Sequence, residues 1–186
     1  LVYYNAFKHY FIQNYLISKL KRDNPADVEE LHSILDNYSK EKTVFIQVGL
    51  SDIKAVFHKN PYKLLLDVLD EHFDSVLAPG FTPYFEESGV YHKLYSVPTH
   101  GTFYKLFLKD ADYRTNDATH SILVKGDYRF DNCDHFDTLS RDGCWGKLDR
   151  DNMLIMDIGT PWMFSSQHHY IEGYYDVPYC HRVKYE

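Results

Sequence analysis

The amino-acid sequence predicts an α/β fold, a central mixed sheet flanked by helices, and three observations carry that prediction. Amphipathic stretches at helical spacing alternate with short apolar runs along the chain. The run at 43–48 (TVFIQV) is rich in β-branched residues and mostly apolar, the mark of a strand covered on both faces. Breakers follow the runs, at Gly49, at Pro79-Gly80, at Gly126 and at Gly159 with Pro161.

The elements follow in order. Tyr3, Tyr4, Phe7, Phe11, Tyr15 and Leu16 fall at helical spacing and lead into Lys19, Lys21 and Arg22. Such a stripe fits a helix packed over a sheet, the reading taken here, and it also fits a helix lying on a membrane surface. Asn24-Pro25 is a cap followed by proline at a first helical position, and Val28, Leu31, Ile34 and Leu35 form the inward face of a second helix. After the 43–48 strand, Gly49 to Asp52 reads as a loop of the kind on which α/β folds place ligands. Asn60-Pro61 starts a helix over 62–73, a strand follows at 75–77, and 81–98 reads as a Tyr- and Pro-bearing loop over a cleft. A helix is expected over 102–109 and a strand at 122–124. Met153 to Met156 reads as a buried central strand, and Ser165 and Ser166 are cap residues for a helix that follows.

Chemistry concentrates on that last helix. His169 and Glu172 are i, i+3 neighbours, so the carboxylate can hold one ring nitrogen and leave the other free as a base. The same pair would also serve as a surface ion pair. His120, beside a strand end, is the second candidate base.

Length and composition bound the rest. The 186 residues are expected to form one domain, with helices in 1–40 and an α/β core over 43–186. Leucine at position 1 points to a fragment or a trimmed chain. Hydrophobic content of 44% with mixed charge argues a soluble globular protein, with no apolar run near the ~18 residues of a membrane span and no signal peptide. Cys133, Cys144 and Cys180 are an odd count without framework spacing, which favours free thiols in a reducing compartment, read as the cytoplasm. A net charge of -7 disfavours nucleic acid and leaves a cationic or neutral small molecule as partner. Nothing in the sequence sets an oligomeric state.

Several segments keep a shared order from Thr43 to Tyr179. They are Leu50-Ser51; Pro79-x-Phe81-Thr82; Gly101-x-Phe103; Arg114, Thr115, Thr119, His120, Ser121 and Gly126; Trp145-Gly146-Lys147-Leu148; and Ser166-x-x-His169-x-x-Glu172 with Val177-Pro178-Tyr179 beyond. This series resembles the aminoglycoside 3-N-acetyltransferase family, including its Arg-Ser-x-His-Pro-Thr-His-Ser segment and its Thr-x-x-His-x-x-Glu block. The chain departs from the family where Asp117-Ala118 replaces His-Pro and Gln47-Val48-Gly49 replaces His-Ser-Ser. It is also shorter than typical members, and 127–142 is trimmed.

The resemblance implies an acyl-CoA-dependent N-acyltransferase that moves an acetyl or other acyl group from acetyl-CoA or another acyl-CoA to an amine of an aminoglycoside, as in antibiotic resistance, or of another amino sugar. Under that reading His169 is the general base, oriented by Glu172, because an ammonium must lose a proton before it can attack a thioester. Ser51, Thr119 and Ser121 are candidates for the cofactor side and the oxyanion, and Arg114 for a phosphate or pantetheine contact or, equally, a structural pair. Two alternatives remain within the same fold: an acyltransferase on a nucleotide-linked amino sugar for surface polysaccharide, and a catalytically inactive binding relative. A different class, zinc held by Cys133, His135, Cys144, Cys180 and His181, has irregular spacing, and no metal is expected.

Overall fold

The structure, a computed structural model, describes residues 2–23, 26–57, 60–160 and 162–179. Five strands form one mixed sheet in the order β3-β4-β2-β1-β5, with β1 at Thr43–Val48, β2 at Ser75–Pro79, β3 at Tyr113–Arg114, β4 at Ile122–Gly126 and β5 at Leu154–Ile158. β1 runs parallel to β2 and β5, whereas β4 is antiparallel to β2 and to β3.

Alternation along the strands feeds two cores. Val44, Ile46 and Val48 of β1 point with Val76 and Ala78 toward α2 (Val28–Asp36), α3 (Leu50–Phe57), α4 (Pro61–His72) and α6 (Thr102–Phe107). Phe45 and Leu77 point the other way with Ile122 and Val124, onto Phe130, onto Trp145 and Leu148 of α7 (Cys144–Arg150), and onto Tyr170 of α8 (Gln167–Tyr174). A helix-sheet-helix sandwich results, the architecture expected from the alternation.

Local chemistry sets the element ends. Asn60 accepts the Lys63 amide ahead of Pro61, as expected for α4. The cap of α2 is Asp27, which accepts from Glu29, while Asn24 and Pro25 lie outside the described residues. Ile34, expected inward, is exposed. The segment after β1 is a helix, not a loop: α3 begins at Leu50, and a Cβ at Gly49 would lie 2.2 Å from the Gly159 carbonyl oxygen, so this crossing of two chain segments needs glycine. The loop at 81–98 contains one short helix, α5 (Phe85–Ser88).

Two expectations about packing are corrected. β5 is an edge strand with half-buried residues, not a central one, because among the described residues only β1 pairs with it. The helix α1 (Val2–Asp23) forms as the spacing required, but Tyr4, Phe7, Phe11 and Tyr15 are 57–69% exposed, so this stripe does not pack on the sheet. Among the described residues, no helix is long and apolar enough to cross a membrane.

Candidate active site

A cleft of about 360 Å³ opens where the C-terminal ends of β1, β2 and β5 meet the start of antiparallel β4. Gln47 contributes from β1, and Phe81, Pro83 and Glu86 from the segment after β2. Thr119 and His120 lead into β4, Phe164 to Ser166 follow β5, and His100 and His169 complete the wall. A wider polar groove of about 680 Å³ lies at the opposite, amino-terminal end of the parallel strands, where Lys42 and Asp74 precede β1 and β2. Ligand sites in α/β sheets sit outside the carboxyl ends of strands, which favours the smaller cleft.

His169 is presented by the packing of α8. Gln167 and Tyr170 are the buried face of that helix, with Gln167 Nε2 donating to the Trp145 carbonyl at 3.3 Å and Tyr170 Oη to Asp149 at 3.2 Å. Their burial turns His169 outward to the cleft rim, where its Nδ1 lies 3.3 Å from Glu172 Oε2. A carboxylate on Nδ1 fixes the tautomer that leaves Nε2 as proton acceptor.

His120 stands opposite, its ring centroid 6.0 Å from that of His169. Phe81 meets both His100 and His120 in edge-to-face contacts, with ring centroids at 5.5 and 5.4 Å, and Trp145 Nε1 donates to the His120 carbonyl at 3.1 Å. Burial pushes the His120 imidazole below its ordinary pKa, against the pull of Asp117, and the neighbouring His169 acts in the same direction as burial. Asp117 Oδ1 also accepts from the His120 amide at 2.6 Å and from Thr119 Oγ1 at 3.0 Å, which fixes the 117–120 turn.

The loop after β5 is braced from the sheet. Gln47 Nε2 donates to the Phe164 carbonyl at 2.7 Å, and the Asp157 carboxylate, opposite Gln47 in the strand register, accepts from the Phe164 amide. Burial raises the Asp157 pKa against that bond, and its Oδ1 is buried with no hydrogen-bond partner.

Of the residues expected from sequence, His169, Glu172, His120 and Thr119 are brought together here. Three others, expected as cofactor contacts, lie outside this cleft. Arg114 is 4% exposed, and its guanidinium donates to the carbonyls of Gly80, Lys93 and Ser96 and to Ser121 Oγ, so it braces loops from within and has no face turned to a phosphate. Ser121 is fully buried, donating to the Gly80 carbonyl at 2.8 Å. Ser51 is exposed in the first turn of α3 and does not line the cleft. Sequence reasoning missed Gln47, Glu86 and His100. Gln47 had a signal, as the one polar side chain within an otherwise apolar strand interior, whereas Glu86, in the short helix α5, and His100, in a loop, come from positions with no pattern.

The cysteine and histidine cluster at 133–144 is engaged internally. His135 Nδ1 accepts the Asn116 amide at 3.1 Å, and its Nε2 lies 3.1 Å from the Phe130 carbonyl. Burial pushes the Cys144 thiol up to about 12, which disfavours the thiolate a metal requires. Among the described residues no group of three or more His, Cys, Asp or Glu side chains is arranged to hold a metal, and Cys180 and His181 lie outside them.

Comparison with known proteins bears on the fold. No family model matches the chain, and no curated protein matches it in sequence. Solved structures share its architecture, among them the following two. The YokD protein from Bacillus subtilis superposes with a TM-score of 0.66 at 18% identity, over 83% of this chain and 67% of that one. The aminoglycoside acetyltransferase AAC(3)-Xa superposes with a TM-score of 0.58 at 14% identity, over 80% of this chain and 61% of that one. The chain thus shares the fold of these structures, with a five-stranded mixed sheet and flanking helices, and spans about two thirds or less of their length.

Proposed function

We propose that the protein is an N-acyltransferase that moves an acyl group from acyl-coenzyme A to the amino group of a small-molecule acceptor of amino-sugar type. The observation that carries this reading is the His169-Glu172 pair at 3.3 Å on the rim of a cleft at the strand ends, within a fold shared with an aminoglycoside acetyltransferase. In the proposed reaction the acceptor nitrogen attacks the thioester carbonyl, and its proton passes to His169 Nε2. The imidazolium that forms is stabilised by Glu172, as a carboxylate stabilises the imidazolium of a triad.

Cleavage of the carbon-sulfur bond then releases the coenzyme A thiolate, which takes up a proton. The hydroxyls of Ser165 and Ser166 line the cleft and are the donors available to the oxyanion of the tetrahedral intermediate. His120 lies within the same cleft, and its lowered pKa keeps it neutral near pH 7, so it adds no positive charge to repel an ammonium substrate.

Thiol release from acetyl-coenzyme A across a panel of amines tests the proposal. The expected result is turnover with at least one amino sugar, reduced by on the order of 10² to 10⁴ in His169→Ala and by less in Glu172→Gln. Full turnover in His169→Ala with loss in His120→Ala would move the base to His120. Absence of turnover throughout the panel, with folded protein, removes the reading.

A further inference from the structure

Asp117, Thr119 and His120 form a chain of hydrogen bonds whose directions follow from the groups themselves. Asp117 Oδ1 lies 3.0 Å from Thr119 Oγ1, which lies 2.9 Å from His120 Nδ1. A carboxylate only accepts, so the single hydroxyl hydrogen of Thr119 goes to Asp117. The second bond then forms only if His120 Nδ1 carries a hydrogen and donates it to Thr119 Oγ1. Burial lowers the imidazole pKa and keeps the ring neutral near pH 7, so Nε2 is left bare as an acceptor. The backbone holds the ring in place as well. The His120 amide donates to Asp117 at 2.6 Å, its carbonyl accepts from Trp145, and Thr82 donates to the neighbouring Ala118 carbonyl. His120 lines the cleft, and among the described residues its Nε2 has no hydrogen-bond partner. Across the cleft, Glu172 holds His169 Nδ1 and leaves that Nε2 bare too, with the ring centroids 6.0 Å apart. Two acceptors sharing one tetrahedral nitrogen stand about 4.7 Å apart when each bond is about 2.9 Å long, a separation within the span of two rings so placed.

From this we infer that His120 determines acceptor specificity: its Nε2 accepts one N–H of a primary amine while His169 Nε2 takes the other, with Asp117 and Thr119 as positioning residues that fix its tautomer. The inference rests on the acyl-transfer reading of the cleft. The acceptor reacts as the free amine, its ammonium proton having passed to water. Once the carbon-nitrogen bond forms, the nitrogen carries two hydrogens and a positive charge. One proton passes to His169. The other hydrogen stays on the nitrogen, bonded to His120, and remains in the amide when the carbon-sulfur bond breaks. A secondary amine has a single hydrogen at this stage and leaves His120 Nε2 unpaired, which is unfavourable in a half-buried site.

Nitrogen NMR of the imidazole rings reads the tautomer apart from turnover, with His120 assigned by the signals lost in His120→Gln. Native protein near pH 7 is expected to show His120 with hydrogen on Nδ1 and a bare Nε2. Thr119→Ser is expected to show the same, and Thr119→Val, which cannot accept, a mixture of tautomers. In turnover, the best primary amine of the acceptor panel, glucosamine included, is expected to be preferred over its N-methyl derivative. Thr119→Val is expected to lose about fivefold to tenfold of that preference in kcat/KM, the scale of one net hydrogen bond, and Thr119→Ser to retain it. Valine matches threonine in shape, so a preference set only by crowding of the methyl group would not change.

A hydrogen on His120 Nε2 in the native protein, or an unchanged preference in Thr119→Val, overturns the inference. Turnover that still depends on His169 then leaves the acyl-transfer reading standing. If the tautomer is as expected but no amine is turned over, the acyl-transfer reading falls, and the role assigned to His120 falls with it.

Discussion

Replacing Arg114 with methionine separates two roles that the sequence left open, a brace and a phosphate contact. The guanidinium reaches four acceptors from inside the protein, and their fates differ once it is gone. The Gly80 carbonyl keeps a donor, because Ser121 Oγ also bonds it at 2.8 Å. The Ser96 carbonyl, which accepts at 2.6 Å, and the Lys93 carbonyl, at 3.0 Å, lose the guanidinium bond, and each loss is worth roughly 1–3 kcal/mol. The contact of the guanidinium with the Tyr91 ring, at 5.0 Å, adds roughly 0.5–1 kcal/mol. Burial disfavours the charge, as its lowered pKa indicates, and removing it returns part of this.

The net expectation for Arg114→Met is a loss of about 3 kcal/mol, a large share of the roughly 5–15 kcal/mol of a typical domain. Urea unfolding followed by circular dichroism measures it, with the slope against denaturant unchanged if the two end states stay the same. Arg114→Lys is expected to lose nearly as much, since one ammonium cannot replace a planar fork that bonds four groups. A stability change under about 1 kcal/mol, together with a tenfold rise in KM for acyl-coenzyme A, would refute this and return Arg114 to the cofactor.

Two further predictions rest on burial. The His120 pKa is lowered in the folded state, so between that value and the ordinary value of about 6.5 the unfolded chain holds more protons, and stability rises with pH across this window. Stability is therefore expected to fall as pH drops below about 6.5, and His120→Asn is expected to flatten this slope in urea titrations from pH 5 to 8. Cys144, fully buried with its thiol pushed up to about 12, is expected to resist iodoacetamide at pH 8 in the native protein and to react after unfolding, as peptide mass spectrometry would report.

What the sequence made legible was what is set locally. The period of apolar residues, the Asn60 cap with Pro61, and the i, i+3 spacing of His169 and Glu172 each involve neighbours within one or two turns, and each is present in the structure. What it hid depends on which layer covers a face. A stripe at Tyr4, Phe7, Phe11 and Tyr15 has helical period whether or not anything packs on it, and the apolar run of β5 reads the same at an edge as at the centre of a sheet. The role of Arg114 stayed open for a related reason, because an arginine beside a strand fits a ligand contact and a structural pair alike until the carbonyls of three distant loop residues are seen to converge on it.

The polar residues within the apolar strands were a more informative signal than the loop motifs. Gln47 in β1 and Asp157 in β5 are the fifth and fourth residues of their strands, and the parallel register sets them opposite each other near the carboxyl ends. A polar side chain is retained in such a position only where a bond there replaces its water. Both of them find that bond on the Phe164 backbone, at the wall of the cleft that holds His169. The position of the cleft along the sheet is thus marked in the sequence by where two apolar strands are interrupted, and the register between the strands turns two separate interruptions into one site.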